Sequence, residues 1–267
     1  MGTAQLASVL PDDAPHDDTW DEYYYGYRTI IGYDDEGKSV FSYRPLTPDD
    51  LLDPEEGDVY MQGNLHEKDV DRLRGIFRYH LRNRENITIY SDIKIIWETG
   101  KSENPAPDVS IIADVRDPEK PRGSFCVPEE GTKPFFVLEV VSPRYRREDI
   151  EKKPEIYRRN GVFEYIIVDP GLKGNEISYT VSGYRLIGNR YVRMTPDDRK
   201  RIYSRTTDVW VGASESGDRL IVYDGKTDEE ILSDGERADK AETRADKAEE
   251  ELRRLRAKLG AVGISAD

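Results

Sequence analysis

The stretch Phe135-Phe136-Val137-Leu138-Glu139-Val140-Val141 places one carboxylate inside a run that otherwise reads as a buried β-strand. An ionised acid on a core strand is costly unless something positive answers it. Pro107-Asp108 opens a second such run, Val109-Ser110-Ile111-Ile112, and the basic segment from Arg144 to Arg159 supplies Lys152 and Lys153. Strand alternation sets Glu139 on the same face as Phe135, Val137 and Val141. Taken singly, each acid has an ordinary structural reading: Glu139 as the buried partner of an arginine, Asp108 as a loop-to-strand junction. Two acids on neighbouring strands are better explained by a divalent cation. Magnesium needs only one or two carboxylates and leaves its other positions to water and phosphate oxygens.

The surrounding chain supports one large domain with appendages. Residues 1–20 are acidic (Asp12, Asp13, Asp17, Asp18) and lack periodic apolar positions, which predicts a disordered arm. Tyr23 to Tyr33 and Ser39 to Tyr43 flank Asp34-Asp35-Glu36-Gly37 as a hairpin. Thr47-Pro48-Asp49-Asp50 reads as a helix start with Thr47 as cap. From Gly63 to Arg82 the residues Leu65, Val70, Leu73, Ile76, Phe77 and Leu81 recur at helical spacing. Ile87 to Trp97 reads as one strand, followed by strands at Asp108–Ala113 and Phe135–Val141. A helix ending at Gly161 comes next, then a short strand Glu164–Val168 closed by Asp169-Pro170-Gly171. Further strands are expected at Ile177–Ile187, Tyr191–Met194, Val209–Gly212 and Leu220–Tyr223. This order predicts an α/β domain over residues 21–233, a mixed sheet with helices packed on it.

The tail is of another kind. Arg237-Ala-Asp-Lys-Ala-Glu-Thr is followed directly by Arg244-Ala-Asp-Lys-Ala-Glu-Glu. Ala238, Ala241, Ala245, Ala248, Leu252, Leu255 and Leu259 step by three and four, the seam of a coiled coil over residues 234–260, with a flexible end at 261–267. With Ala245, Leu252 and Leu259 at position a, the pairs Arg237–Glu242, Arg244–Glu249 and Glu251–Arg256 all attract in a parallel homodimer.

Composition removes several function classes. A net charge of −14 argues against a protein that coats nucleic acid without specificity, yet leaves room for one whose field is set locally in a cleft. One cysteine, Cys126, excludes a disulfide framework, and His16, His66 and His80 cannot build a zinc cluster. No apolar run is long enough for a transmembrane helix, and the N-terminus lacks the regions of a secretory signal, so a cytoplasmic location is expected. Gly100-Lys101-Ser102 and Gly225-Lys226-Thr227 lack the leading glycine of a phosphate-binding loop.

Several of these residues carry a resemblance. Pro107-Asp108, Leu138-Glu139-Val140-Val141-Ser142-Pro143, Asp149, Lys153, Tyr157, Gly161-Val162, Glu164-Tyr165 and Val168-Asp169-Pro170 resemble the Uma-type restriction endonuclease family of the PD-(D/E)XK nuclease superfamily, from roughly Leu46 to Tyr223. The resemblance implies a restriction-endonuclease-like mixed β-sheet core flanked by helices. It also implies a Mg2+-dependent endonuclease acting on DNA, with Mn2+ as a substitute ion. Asp108 and Glu139 would hold the metal, with the Val140 carbonyl as a further ligand. The superfamily lysine two residues after the strand acid is here Val141; Lys153, on the following helix, matches its displaced position, with Lys152 as the alternative. Pro154 sets Lys153 at a helix start. His66 and Glu67 are accessory candidates, although an exposed polar helix start is the better reading of both. Arg144, Arg146 and Arg147 are candidates for the phosphate backbone, weakened by the interleaved Glu148, Asp149 and Glu151. Two rivals stand beside this reading: a catalytically silent nucleic-acid-binding module, and a coiled-coil interaction protein whose acid–lysine constellation is structural.

Overall fold

A computed structural model describes residues 24–60, 64–98, 103–173 and 176–261. The expected acidic arm at 1–20 and nearly all of the expected flexible end at 261–267 lie outside these residues. The chain opens with β1 (Gly26–Tyr33), β2 (Ser39–Pro45) and β3 (Asp58–Tyr60), a three-stranded antiparallel sheet in the order β2-β1-β3. The β1–β2 turn is the expected one. Asp34 Oδ1 accepts the N–H groups of Glu36 and Lys38, and Gly37 takes a φ of +78°. Thr47 does not start an α-helix. Its N–H and hydroxyl both donate to Asp50 Oδ2, and only a 3-10 turn follows at Asp50–Leu52. Asp50 is also held by Arg28 and Arg44, so its carboxylate serves a local ion network.

The expected long helix is α1 (Asn64–Leu81), and its buried positions Val70, Leu73, Ile76, Phe77 and Leu81 are those of the periodic pattern. The segment expected as one strand is two, β4 (Ile87–Tyr90) and β5 (Lys94–Ile96). Between them Asp92 sits at φ +53°, and the chain leaves one sheet for another. Then follow β6 (Val109–Ala113), β7 (Ser124–Cys126), a four-residue α2 (Val127–Glu130) and β8 (Pro134–Val140). A π turn, Glu148–Lys152, runs directly into α3 (Lys153–Arg159). Pro154 has no N–H to return to Ile150, and the wider turn before it accommodates that missing bond. Gly161, at φ +73°, ends the helix as expected.

The remaining strands are β9 (Glu164–Lys173), β10 (Glu176–Ile187), β11 (Arg190–Arg193), β12 (Ile202–Ser204), β13 (Val209–Ala213) and β14 (Leu220–Asp224). The first of these does not stop at Asp169-Pro170-Gly171 but continues through it. Pro170 pairs with Tyr179, whose N–H donates away to the Gly217 carbonyl. The proline nitrogen therefore faces the side where β8, paired only up to Val168, has ended. No ladder bond is lost.

The central sheet has the order β11-β10-β9-β8-β6-β4, antiparallel except for the parallel pair β8–β9. One face packs α1 and the small sheet β12-β13-β14 through Phe77, Ile111, Phe136, Leu138, Val140, Val209 and Val222. The other packs β5, β7 and α3 through Ile95, Phe125, Val137, Val141, Tyr157 and Tyr165. With both faces covered, β8 is apolar at nearly every position, which is why it reads as an unbroken hydrophobic run. The expectation for Phe135 needs correction. The register of β6 against β8 shifts between Ile111 and Ile112, and Phe135 packs with the α1 face rather than with Val137 and Val141.

The tail is one helix, α4 (Asp234–Ala261). Ser233 and Glu236 cap it reciprocally: Glu236 N–H donates to Ser233 Oγ, and Ser233 N–H to Glu236 Oε2. Its first turn is pinned to α1 by the Arg72–Glu236 ion pair and by Arg237 over the Tyr79 ring.

Candidate active site

Asp108 and Glu139 meet where β6 begins and β8 ends. The pairing of Val109 with Leu138 leaves Asp108 level with the last residues of β8. There its carboxylate Oδ2 accepts the Val140 N–H at 2.7 Å. In return the Asp108 N–H lies 3.4 Å from Glu139 Oε2. Because the N–H and C=O of a strand residue point to one side, the Val140 carbonyl faces the same edge as Asp108. Both acids are buried, at 4% and 1% exposure.

Two positive groups answer them. Lys153 Nζ lies 3.0 Å from Glu139 Oε1 and 2.8 Å from Asp149 Oδ1. His66 Nε2 lies 3.3 Å from Asp108 Oδ2, while its buried Nδ1 has no hydrogen-bond partner. Tyr157, one turn beyond Lys153, donates its hydroxyl to Glu139 Oε1 at 2.6 Å, and Tyr165 donates to the Asp149 carbonyl. The result is a continuous chain from His66 through Asp108, Glu139 and Lys153 to Asp149.

Its electrostatics are unbalanced. Burial pushes the Glu139 carboxyl up to about 8; Asp108 and Asp149 add to the rise, while Lys153 and Tyr157 oppose it. Burial also raises Asp149, against the pull of Lys153. Asp108 is the exception. Desolvation would raise it, but the contact with His66, the charge of Lys153 and the Val140 N–H hold it below the ordinary carboxylate range. His66 would be lowered by burial, yet Asp108, Glu139 and Asp149 lift it to about 9. The same three acids hold Lys153 firmly protonated. Three acids face two cations, so the cluster would be short of positive charge with every acid ionised. Glu139 meets the deficit by holding a proton that a bound cation would displace.

A cavity of about 900 Å³ opens onto these groups. Its floor is His66, Asp108, Glu139, Val140, Asp149 and Lys153; its far side is Leu51, Pro54, Glu55, Glu56 and Tyr60, from the segment after β2 and from β3. Of the sequence candidates, Asp108, Glu139, Val140, Lys153 and His66 line it together. Glu67 is exposed on α1 and is not among the lining residues, in keeping with a solvated helix start. Lys152 points elsewhere, to Asp49 at 2.7 Å and Glu148 at 3.5 Å. The three arginines stay outside: Arg146 pairs with Asp169, Arg147 with Glu151, and Arg144 lies over the Tyr24 ring. Asp149 and Tyr157 carried no assigned role in the sequence. Their signal was present: Asp149, Lys153 and Tyr157 recur at steps of four, one face of a helical segment.

The sequence model of the Uma2 family, described as "Putative restriction endonuclease", matches residues 53–209. The chain belongs to this family. The match spans the strands bearing both acids, the π turn and α3. No curated protein matches the chain. Among solved structures, the chain is similar to a "putative nuclease belonging to DUF820" from Anabaena variabilis. The identity is 15%, over 70% of this chain and 85% of that one, with a TM-score of 0.38. No helix among the described residues is long and apolar enough to cross a membrane.

The residues fit a hard divalent cation. Two buried carboxylates and a backbone carbonyl stand at the same strand ends beside the cavity, in a cluster whose acids outnumber its cations. Among the described residues no three His, Cys, Asp or Glu side chains form a closed metal cage. Magnesium does not require one, since it keeps several waters and takes only one or two carboxylates.

Proposed function

We propose that the chain is a Mg2+-dependent endonuclease of the PD-(D/E)XK type, hydrolysing phosphodiester bonds of DNA, with Mn2+ able to replace Mg2+. The observation that carries this reading is the convergence of Asp108, Glu139 and Lys153 at the floor of one cavity, within a chain of the restriction endonuclease family. Asp108, Glu139 and the Val140 carbonyl would hold the ion, which when bound supplies Lewis acidity and a water activated near neutral pH. Lys153, kept protonated by its acidic neighbours, stabilises negative charge developing on the phosphate. Tyr157 and Asp149 orient Glu139 and Lys153, and His66 holds Asp108 in place. The exposed Leu252 and Leu255 on α4 support a parallel coiled-coil homodimer through the tail.

One observation favours the silent nucleic-acid-binding alternative: Lys153 is shared between two carboxylates instead of being free for a phosphate. Two measurements separate the readings. Mg2+ or Mn2+ should raise the melting temperature of the wild type, and Asp108→Asn or Glu139→Gln should abolish the increment. Equal metal shifts in all three proteins would remove the metal site. Cleavage of plasmid, linear and single-stranded DNA that needs Mg2+ and is lost in Asp108→Asn would establish the hydrolase; a metal shift without cleavage would favour the silent module.

A further inference from the structure

The cavity is roofed. The three-stranded sheet and the segment from Leu51 to Tyr60 stand over the carboxylates and are tied to the core at several points. Tyr145 donates its hydroxyl to the Tyr25 carbonyl. Lys94 Nζ holds the Asp53 carboxylate at 2.7 Å and the Pro54 carbonyl at 2.8 Å. Lys152 reaches Asp49 from the other side. Under this cover the acids that would hold the ion are almost wholly shielded from solvent. A phosphate must therefore enter the cavity to reach them. At about 900 Å³ the cavity has the size of a small-molecule pocket, which runs to roughly 300–1,000 Å³. It accommodates one or two nucleotides, not the breadth of a duplex.

A second, independent observation concerns charge. Glu55, Glu56 and Asp92 line the cavity beside a single cation above the floor, Lys94, which is already held by Asp53 and the Pro54 carbonyl. Arg144, Arg146 and Arg147 lie outside it. A surface that tracks a duplex does so with clustered Lys and Arg along many phosphates. This cavity presents the opposite sign, and the phosphate contacts it permits are those on the floor. The apolar part of the roof, Leu51, Pro54 and Tyr60, offers instead the kind of wall on which an unpaired base packs.

We propose that the site accepts a phosphodiester within an unpaired single strand, threaded under the roof with one or two nucleotides inside, and rejects paired duplex. This rests on the nuclease reading of the same residues and specifies its substrate. Because few phosphates are held, binding depends only shallowly on salt. A slope of about −0.7 per neutralised phosphate gives roughly −0.7 to −1.4 for one or two.

The test uses the full chain, a fluorescent oligothymidylate and a blunt hairpin duplex. Binding is followed by anisotropy in Ca2+ across a salt series, and cleavage in Mg2+ and in Mn2+. Single-strand binding with the shallow slope, single-strand cleavage and no response to the duplex support both readings. Single-strand binding without cleavage in either metal keeps the substrate class and removes the hydrolase. Duplex bound or cleaved as well as the single strand overturns the inference while leaving the nuclease standing. No binding of either probe overturns the inference. Leu51→Trp, which fills the roof side at a half-buried position, should weaken single-strand binding at least tenfold with its melting temperature unchanged; full binding by a folded Leu51→Trp would also overturn it.

Discussion

Replacing Lys153 by methionine keeps most of the side-chain volume and removes the charge between two buried carboxylates. The side chain is 3% exposed, 2.8 Å from Asp149 and 3.0 Å from Glu139, so solvent cannot take over its role. Breaking a buried pair from one side costs about 3–5 kcal/mol, because the surviving charge is left uncompensated. The acids can limit the loss by binding a proton. Burial already keeps the Glu139 carboxyl largely protonated at pH 7, so the carboxylate that loses its partner is chiefly that of Asp149, which burial also pushes upward. For a chain of this length the melting temperature should fall by roughly 6–20 °C at pH 7, at about 2–4 °C per kcal/mol. The deficit should shrink toward pH 5, since the folded variant then binds protons more readily than the unfolded chain does. Lys152→Met supplies the control. Its close pair with Asp49 is exposed and worth about 0–1 kcal/mol. Its longer contact with the buried Glu148, at 3.5 Å, adds a smaller loss than that of a lysine 3% exposed between two acids. Thermal melts of both variants at pH 5, 7 and 8 decide the matter. A Lys153→Met protein as stable as the wild type, or a Lys152→Met protein that is the weaker of the two, would refute the assignment of the buried lysine.

Two further outcomes follow from the fold. Burial would raise the Glu164 carboxyl, but the Ser204 and Thr206 hydroxyls and the Arg205 and Thr206 N–H groups hold it below the ordinary carboxylate range. Its stabilisation is therefore present above the unfolded value near 4.3 and lost as pH falls through the lower folded value. Denaturant titrations should show Glu164→Gln about 1–3 kcal/mol less stable at pH 7, with the gap closing as pH falls below 4; a pH-independent gap would contradict this. For the tail, sedimentation should show the full chain as a dimer and a chain ending at Ser233 as a monomer. Two monomers would remove the coiled coil, and two dimers would move the interface to the α/β domain.

The long helix α1, the strands β6 and β8, the helical tail and the acid pair were all legible in the sequence, because each is written in local periodicity. An apolar run with one acid and a helical stripe need no partner to be recognised, and the tail's repeat is enough to give a helix. What the sequence left open depends on how elements meet. Lys152 and Lys153 are neighbours with similar surroundings in the sequence, and only the phase of the π turn and α3 turns one inward to Glu139 and the other out to Asp49. His66 looked like part of a solvated helix start until α1 packed on the sheet and set it against Asp108. Ile87 to Trp97 broke into two strands, and β9 ran through Pro170, because pairing partners beyond the reach of a local pattern decided both. The roof over the acids follows from the same cause. Periodicity determines which residues can be buried together along one element, and only tertiary packing determines which buried charges of different elements must answer one another.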